Sequence, residues 1–213
     1  MSRIRTFGAS LIVLALGTGV AAAADISQAP PVAPEPSDAA ASVFTWTGGY
    51  VGGELGYGWG SATTGGASFS ADGIGGGLYT GYNFQPGSNF VLGIEGDITA
   101  HDMSGSAGGI SVSNPWNATL RGRAGFAFDR FLIYGTGGVA FGDVKVTNGG
   151  LADSQWRTGW TAGGGVEAAI TNSLIGRVEY RYTDLGTATY ATAPATSVGF
   201  TSNQVLVGVG VKF

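Results

Sequence analysis

Three observations predict an all-β chain folded as an eight-stranded antiparallel up-and-down transmembrane β-barrel. The first is two-residue alternation of apolar and polar side chains in eight segments, the period of a strand whose two faces meet different surroundings. The second is charge. Of the 213 residues, 11% are charged and 44% hydrophobic, whereas a soluble domain carries about 25% charge, so much of the surface is expected to avoid water. The third is that no apolar run of about 18 residues occurs after the N-terminus, which leaves strands to cross a bilayer. In hydrocarbon every backbone N–H and C=O must be satisfied internally, and a sheet achieves this only by closing. Forty glycines alone would suit a disordered chain, but five Trp, eight Tyr and eleven Phe argue against disorder.

The first residues read as an address. Arg3 and Arg5 form a positive start, residues 7–20 an apolar stretch, and Ala21-Ala22-Ala23-Ala24 a small-residue cleavage site. This is the pattern of a secretory signal peptide, assigned to residues 1–23 with cleavage after Ala23. Export permits disulfides, and the chain has no Cys, so the fold is expected to close without covalent staples. Residues 24–43, with Pro30, Pro31, Pro34 and Pro36, read as an extended Pro/Ala-rich periplasmic linker. Without Arg3 and Arg5, 8 basic residues face 14 acidic ones, a net of −6, which argues against a nucleic-acid partner.

The barrel is assigned to residues 44–213. Strand one, 49–59, places Val51, Leu55, Tyr57 and Trp59 on one face and Tyr50 and Glu54 on the other. Strand two, 73–84, alternates Leu78, Thr80, Tyr82 and Phe84 with Tyr79 and Asn83. In strand three, 90–99, Phe90, Leu92, Ile94 and Ile98 oppose Glu95, Asp97 and Thr99. In strand four, 116–128, Trp116, Leu120, Phe126 and Phe128 oppose Asn117, Thr119, Arg121 and Arg123. Strand five, 131 to about 146, is apolar on both faces, so its facing stays open. Strands six and seven, 156–170 and 174–185, form the clearest hairpin about Thr171-Asn172-Ser173. Its apolar face carries Trp156, Trp160, Val166, Val178, Tyr180 and Tyr182; its polar face carries Arg157, Glu167, Arg177, Glu179 and Arg181. Strand eight, 200–213, alternates Val205, Val207, Val209, Val211 and Phe213 with Gln204, Leu206 and Lys212.

The connections are expected to alternate. Residues 61–71, 100–115, 147–155 and 186–199 read as long loops on the extracellular side, and 85–89, 129–130 and 171–173 as short periplasmic turns, the asymmetry of an outer-membrane barrel. Aromatic residues near strand ends, among them Trp59, Phe84, Phe90, Trp116, Phe128, Trp156 and Tyr182, fit two interfacial girdles.

The inward faces collect charge. Glu54, Glu95, Asp97, Glu167 and Glu179 meet Arg121, Arg123, Arg157, Arg177, Arg181 and Lys212. An eight-stranded barrel is only wide enough for its own side chains, and an unpaired buried charge costs several kcal/mol. A lumen closed by paired charges is therefore expected, with small internal water pockets; a water-filled lumen lined by the same residues is the competing reading. No catalytic, cofactor-binding or metal site is assigned. His101, beside Asp102 and near Ser104 and Ser106, falls on a Gly/Ser loop where nothing spaces nucleophile, base and orienting group, so a solvated histidine is expected. With one His and no Cys, a metal centre lacks ligands. The Gly75-Gly76-Gly77 and Gly163-Gly164-Gly165 clusters lack the Lys-Ser/Thr and the strand-to-helix setting of a phosphate loop.

The leader, the Pro-rich linker, WTGGYVGGELGYGWG at 46–60, the stretches GWTAGGGVEAAIT and RVEYRYTDLG and the ending VGVGVKF occur in one order. Together they resemble the alphaproteobacterial outer-membrane immunogenic, porin-like surface proteins, over residues 44–213. That resemblance implies the barrel type of the outer membrane protein A transmembrane domain, with an envelope-stabilising and antigenic role and no residue-level site. It implies outer-membrane lipid and lipopolysaccharide as surroundings. It also implies an assembly signal in Val205, Val207, Val209, Val211 and Phe213 for the barrel-assembly machinery, with Val211 standing where an aromatic is often found. No peptidoglycan-binding domain is expected after the barrel. The functional expectation is a structural outer-membrane surface protein, with a narrow porin as the alternative and a lipid A-modifying enzyme or adhesin behind it.

Overall fold

The computed structural model describes residues 44–213 apart from 65–66, 88 and 193–194. The expected leader and linker, residues 1–43, lie outside the described residues. Eight strands run β1 (Gly48–Thr64), β2 (Ala67–Phe84), β3 (Phe90–Ala107), β4 (Ile110–Phe128), β5 (Phe131–Asn148), β6 (Leu151–Ala169), β7 (Leu174–Tyr190) and β8 (Thr196–Lys212). Each pairs antiparallel with its sequence neighbours, and β1 pairs with β8 to close the barrel. Below, the near end is the one that carries Phe44 and Phe213, and the far end is the other.

The alternation reads the wall correctly. Leu55, at 72% exposure, faces out, as do Ile94, Leu120, Val178 and Val207, while Glu54, Glu95, Arg121, Arg177 and Glu179 are buried inside. Strand five, left open by its sequence, resolves. Phe131, Ile133, Val139 and Phe141 face out; Leu132, Tyr134, Thr136 and Ala140 face in. On β4, ten residues separate Trp116 from Phe126, both outward and exposed; at about 3.3 Å per residue and a tilt near 40°, that spans roughly 25 Å, the height of an apolar barrel band.

Among the described residues, the four expected long loops are mostly strand. Every strand is 17–19 residues long, against the roughly 9–11 a bilayer requires, so the sheet continues well beyond the membrane band at the far end. The register holds nearly to the tips: Ala107 pairs with Ile110, and Asn148 with Leu151. Gly108-Gly109 and Gly149-Gly150 all have positive φ, at 58° and 81° and at 59° and 79°. Both central residues in the left-handed region make the two-residue hairpin turn whose twist matches that of the strands. The polar Ser/Thr/Gly composition of these stretches suggested loops, but backbone pairing sets them as strands. Irregularities in the ladder lie between Ala100 and Met103, Ser113 and Trp116, and Asp184 and Thr187.

Candidate functional site: the filled lumen

The interior has layers. At the near end the chain enters through Phe44 and Trp46. Trp46 is buried, its amide donates to Gln85 Oε1 at 2.9 Å, and its indole Nε1 donates to the Asp129 carbonyl at 3.2 Å. It packs among Val91, Ala127, Leu132, Tyr134, Ala169 and Ile175, with Phe44 edge-on at 5.1 Å. Alternation assigns no role to this stopper, because the segment before strand one does not alternate.

Above it lies the charge network. Arg121 reaches Glu95 at 2.5 Å, Glu179 at 2.6 Å and Asp97 at 3.1 Å. Arg123 joins Glu167 at 2.8 Å and Glu95 at 3.2 Å. Arg177 bonds Glu54 and reaches Glu95 at 2.8 Å; Arg181 joins Glu179 at 2.7 Å and Asp97 at 3.0 Å. No side chain of these nine residues is more than 4% exposed. Five carboxylates thus share four guanidiniums, and neutral donors fill several of the remaining acceptor positions, while Glu54 Oε1 has only the Arg181 guanidinium at 3.6 Å. Tyr50 donates to Glu95 and Tyr134 to Glu179, each at 2.8 Å, and the Thr119 hydroxyl donates to Asp97. Aromatic faces cover the cations: Arg177 lies 3.6 Å from the Tyr79 ring centre and Arg123 4.0 Å from that of Tyr134. The crevice between Tyr50, Tyr79, Glu167, Ile175 and Gly210 is too tight for a water molecule.

Two expected members stand apart. Arg157 is buried at 6% exposure, but among the described residues no carboxylate lies within 4 Å of it. Its Nη1 donates to the Val198 carbonyl at 2.9 Å and to the Tyr190 hydroxyl at 3.5 Å. Lys212 sits at the near rim, its Nζ 5.6 Å from the Phe44 ring, with Arg130 at 5.5 Å from the same ring. Alternation gives the facing of a residue but not its depth, and these two are at the wrong depths to reach the acids.

Beyond the network, His101 lies on β3, not on a loop. Its Nε2 is 3.4 Å from Asn117 Nδ2 and 3.3 Å from Gln204 Nε2. Asp102 and Ser104 are exposed, so the strand sends His101 and its neighbours to different surroundings, and the expected solvated histidine is corrected. The far end is filled by a second apolar cluster that the sequence reading missed: Met103, Val112, Val144, Val146, Leu185, Tyr190, Val198 and Phe200, with small residues between them. The signal was present as alternation within a supposed loop, as in Ile110-Ser111-Val112-Ser113, and at the end of strand five, Val144-Lys145-Val146.

The strand count, the closure and the outward apolar band match known outer-membrane proteins. The family model for the outer membrane protein beta-barrel domain matches residues 11–213. The chain belongs to this family. The β-barrel family assignment is supported by a 22 kDa outer membrane protein of Rhizobium leguminosarum bv. viciae, 41% identical over 170 residues and covering 79% of each chain. A 25 kDa outer-membrane immunogenic protein of Brucella abortus biovar 1 (strain 9-941) is 38% identical over 198 residues, covering 92% of each. Among solved structures, Neisserial surface protein A superposes with a TM-score of 0.51 at 20% identity, covering 78% of this chain and 98% of that one. OprG of Pseudomonas aeruginosa gives 0.51 at 14%, covering 79% and 97%; at these identities the likeness concerns the fold. This family member is an outer-membrane barrel. Val205, Val207, Val209 and Val211 form an outward ridge on its closing strand, and the Phe213 amide donates to the Gly49 carbonyl at 2.9 Å.

Proposed function

We propose that the protein is a non-enzymatic structural barrel of the outer membrane that supports envelope integrity, with its far-end hairpins on the extracellular side. The observation that carries this reading is the lumen: nine charged side chains joined by eleven ion pairs, between apolar layers at both ends. A solute path through this section would have to break several buried pairs at once, each costly to separate. The outer face supports the lipid partner. Trp59 stands opposite Asp72, Trp116 and Trp156 opposite Asp143, and Trp160 opposite Asp184. Exposed indoles beside carboxylates suit the headgroup boundary of outer-membrane lipid and lipopolysaccharide. The ridge ending in Phe213 suits handling by the barrel-assembly machinery.

The test is single-channel recording in planar bilayers. The wild type is expected to give no stable openings, whereas Arg121→Ala or Glu95→Ala opens leak states. Regular openings in the wild type, altered by those substitutions, would establish the narrow porin instead.

A further inference from the structure

The barrel wall is not equally closed around its far end. The β5–β6 ladder runs on to Asn148–Leu151, and the β7–β8 ladder to Tyr190–Thr196. The β6–β7 ladder between them ends at Trp160–Asp184. Beyond that point β6 continues for nine residues and β7 for six without pairing to each other. Two strand edges thus face one another across a seam, where backbone groups need other partners.

Side chains of β6 supply some of them. Asp153 Oδ2 accepts from the Ala191 amide at 2.9 Å, Gln155 Nε2 donates to the Thr189 carbonyl at 3.0 Å, and Arg157 Nη1 donates to the Val198 carbonyl at 2.9 Å. Three alternate residues of one strand stitch the seam to the β7–β8 hairpin. Each stitch is made by a rotatable side chain, with Arg157 also reaching the Tyr190 hydroxyl, in place of a continuous backbone ladder. At the base of the seam, Gly186 has φ of 66° and its amide donates to Asp184 Oδ1 at 2.7 Å, and the β7–β8 register breaks between Asp184 and Thr187. A bulge with a left-handed glycine is a place where a strand can bend.

We propose that the far end of the barrel opens sideways at this seam. The far ends of β7 and β8, residues 187–190 and 196–198, bend together about Gly186 away from β6, beyond the last β1–β8 pair at Thr63–Gly199 and with their own ladder intact, and the Asp153, Gln155 and Arg157 stitches release together. Opening uncovers Tyr190, Val198 and Phe200 of the apolar cluster, together with the Arg157 guanidinium. The door lies beyond the charge network, so access to the far-end interior is separate from passage through the lumen.

The chain has no cysteine, so introduced thiols report cleanly in the full-length protein in lipid vesicles. Val198→Cys is on β8 in the seam hairpin and Val146→Cys on β5, which is paired on both sides, both fully buried. A water-soluble maleimide is expected to label Val198→Cys at least tenfold faster; rates equal within twofold would overturn the proposal. Because interior substitutions can perturb packing, a second measurement uses exposed sites. Spin labels on Trp156→Cys with Thr187→Cys, across the seam, are expected to show a population without dipolar broadening. The paired control Lys145→Cys with Ser154→Cys, in register on β5 and β6, remains fully broadened. A single, fully broadened population across the seam would sink the door.

Discussion

The mid-barrel and the far end fill the same tube in opposite ways. At membrane depth the interior is ionic: Arg121 alone touches three carboxylates, and every guanidinium there has at least two acids. At the far end it is apolar, with one buried cation, Arg157, held by a carbonyl and a phenol. The wall differs too. Around the network every ladder is complete, whereas at the far end, among the described residues, β6 and β7 have no pair beyond Trp160–Asp184 and β2 and β3 none beyond Asp72–Ser104, the longer gap being that of β6 and β7. The contrast shows how a barrel divides its work. Charges that hold one another fix a rigid section where outward residues meet lipid. A greasy filling, indifferent to the exact partner of each group, tolerates a wall stitched by side chains.

The largest effect should come from the ionic section. Arg121→Ala leaves Glu95, Asp97 and Glu179 with fewer counter-charges in a fully buried site. Removing one partner of a buried pair costs about 3–5 kcal/mol. The expected result is a drop of that size in unfolding free energy in urea, together with a lower temperature for the gel-mobility shift between folded and heat-denatured forms. A loss below about 1 kcal/mol, the scale of a surface pair, would break the comparison by making the network solvated. The far end should respond less. Leu185→Ala removes a fully buried side chain of the apolar cluster, and such truncations cost about 2 kcal/mol at sites whose surroundings collapse, as beside an incomplete ladder. If the regions are independent, the double variant should show the sum of the two losses to within about 0.5 kcal/mol.

The same division explains what could be read in advance. Alternation reports which side of a wall a residue faces, so the eight strands, the outward bands and the inward charges were legible. It does not report depth, which is why Arg157 and Lys212 seemed to belong with residues they do not reach. Composition misled at the far end, where Ser, Thr and Gly read as loop although Gly108-Gly109 and Gly149-Gly150 only turn a continuing hairpin. Strand five hid its facing because both its faces are apolar: one meets lipid, while Leu132, Tyr134 and Ala140 meet the interior. Trp46 was silent for a different reason. A plug made by an entering chain has no periodicity, and only its contacts reveal it.

The smallest effect, and the one that most sharpens the contrast, concerns pH at the seam. The Asp153 carboxyl, on the exposed far-end hairpin, is held below the usual carboxylate range, first by the Ala191 amide and then by the Gln155 side chain. A depressed folded value means that this contact contributes its full stabilisation above the ordinary aspartate pKa of about 3.9. The contribution is lost as pH falls through the lower folded value. The stitch should therefore be intact at neutral pH and weaken only in strong acid. Spin labels at Trp156→Cys and Thr187→Cys should keep their broadening from neutral pH down to the ordinary aspartate pKa of about 3.9 and lose it only below that value, and Asp153→Asn should abolish that dependence. The carboxamide keeps a carbonyl for the Ala191 amide but cannot titrate. If acid loosens the labels equally in Asp153→Asn, another group controls the seam, and the Asp153 stitch is not what sets its sensitivity to acid.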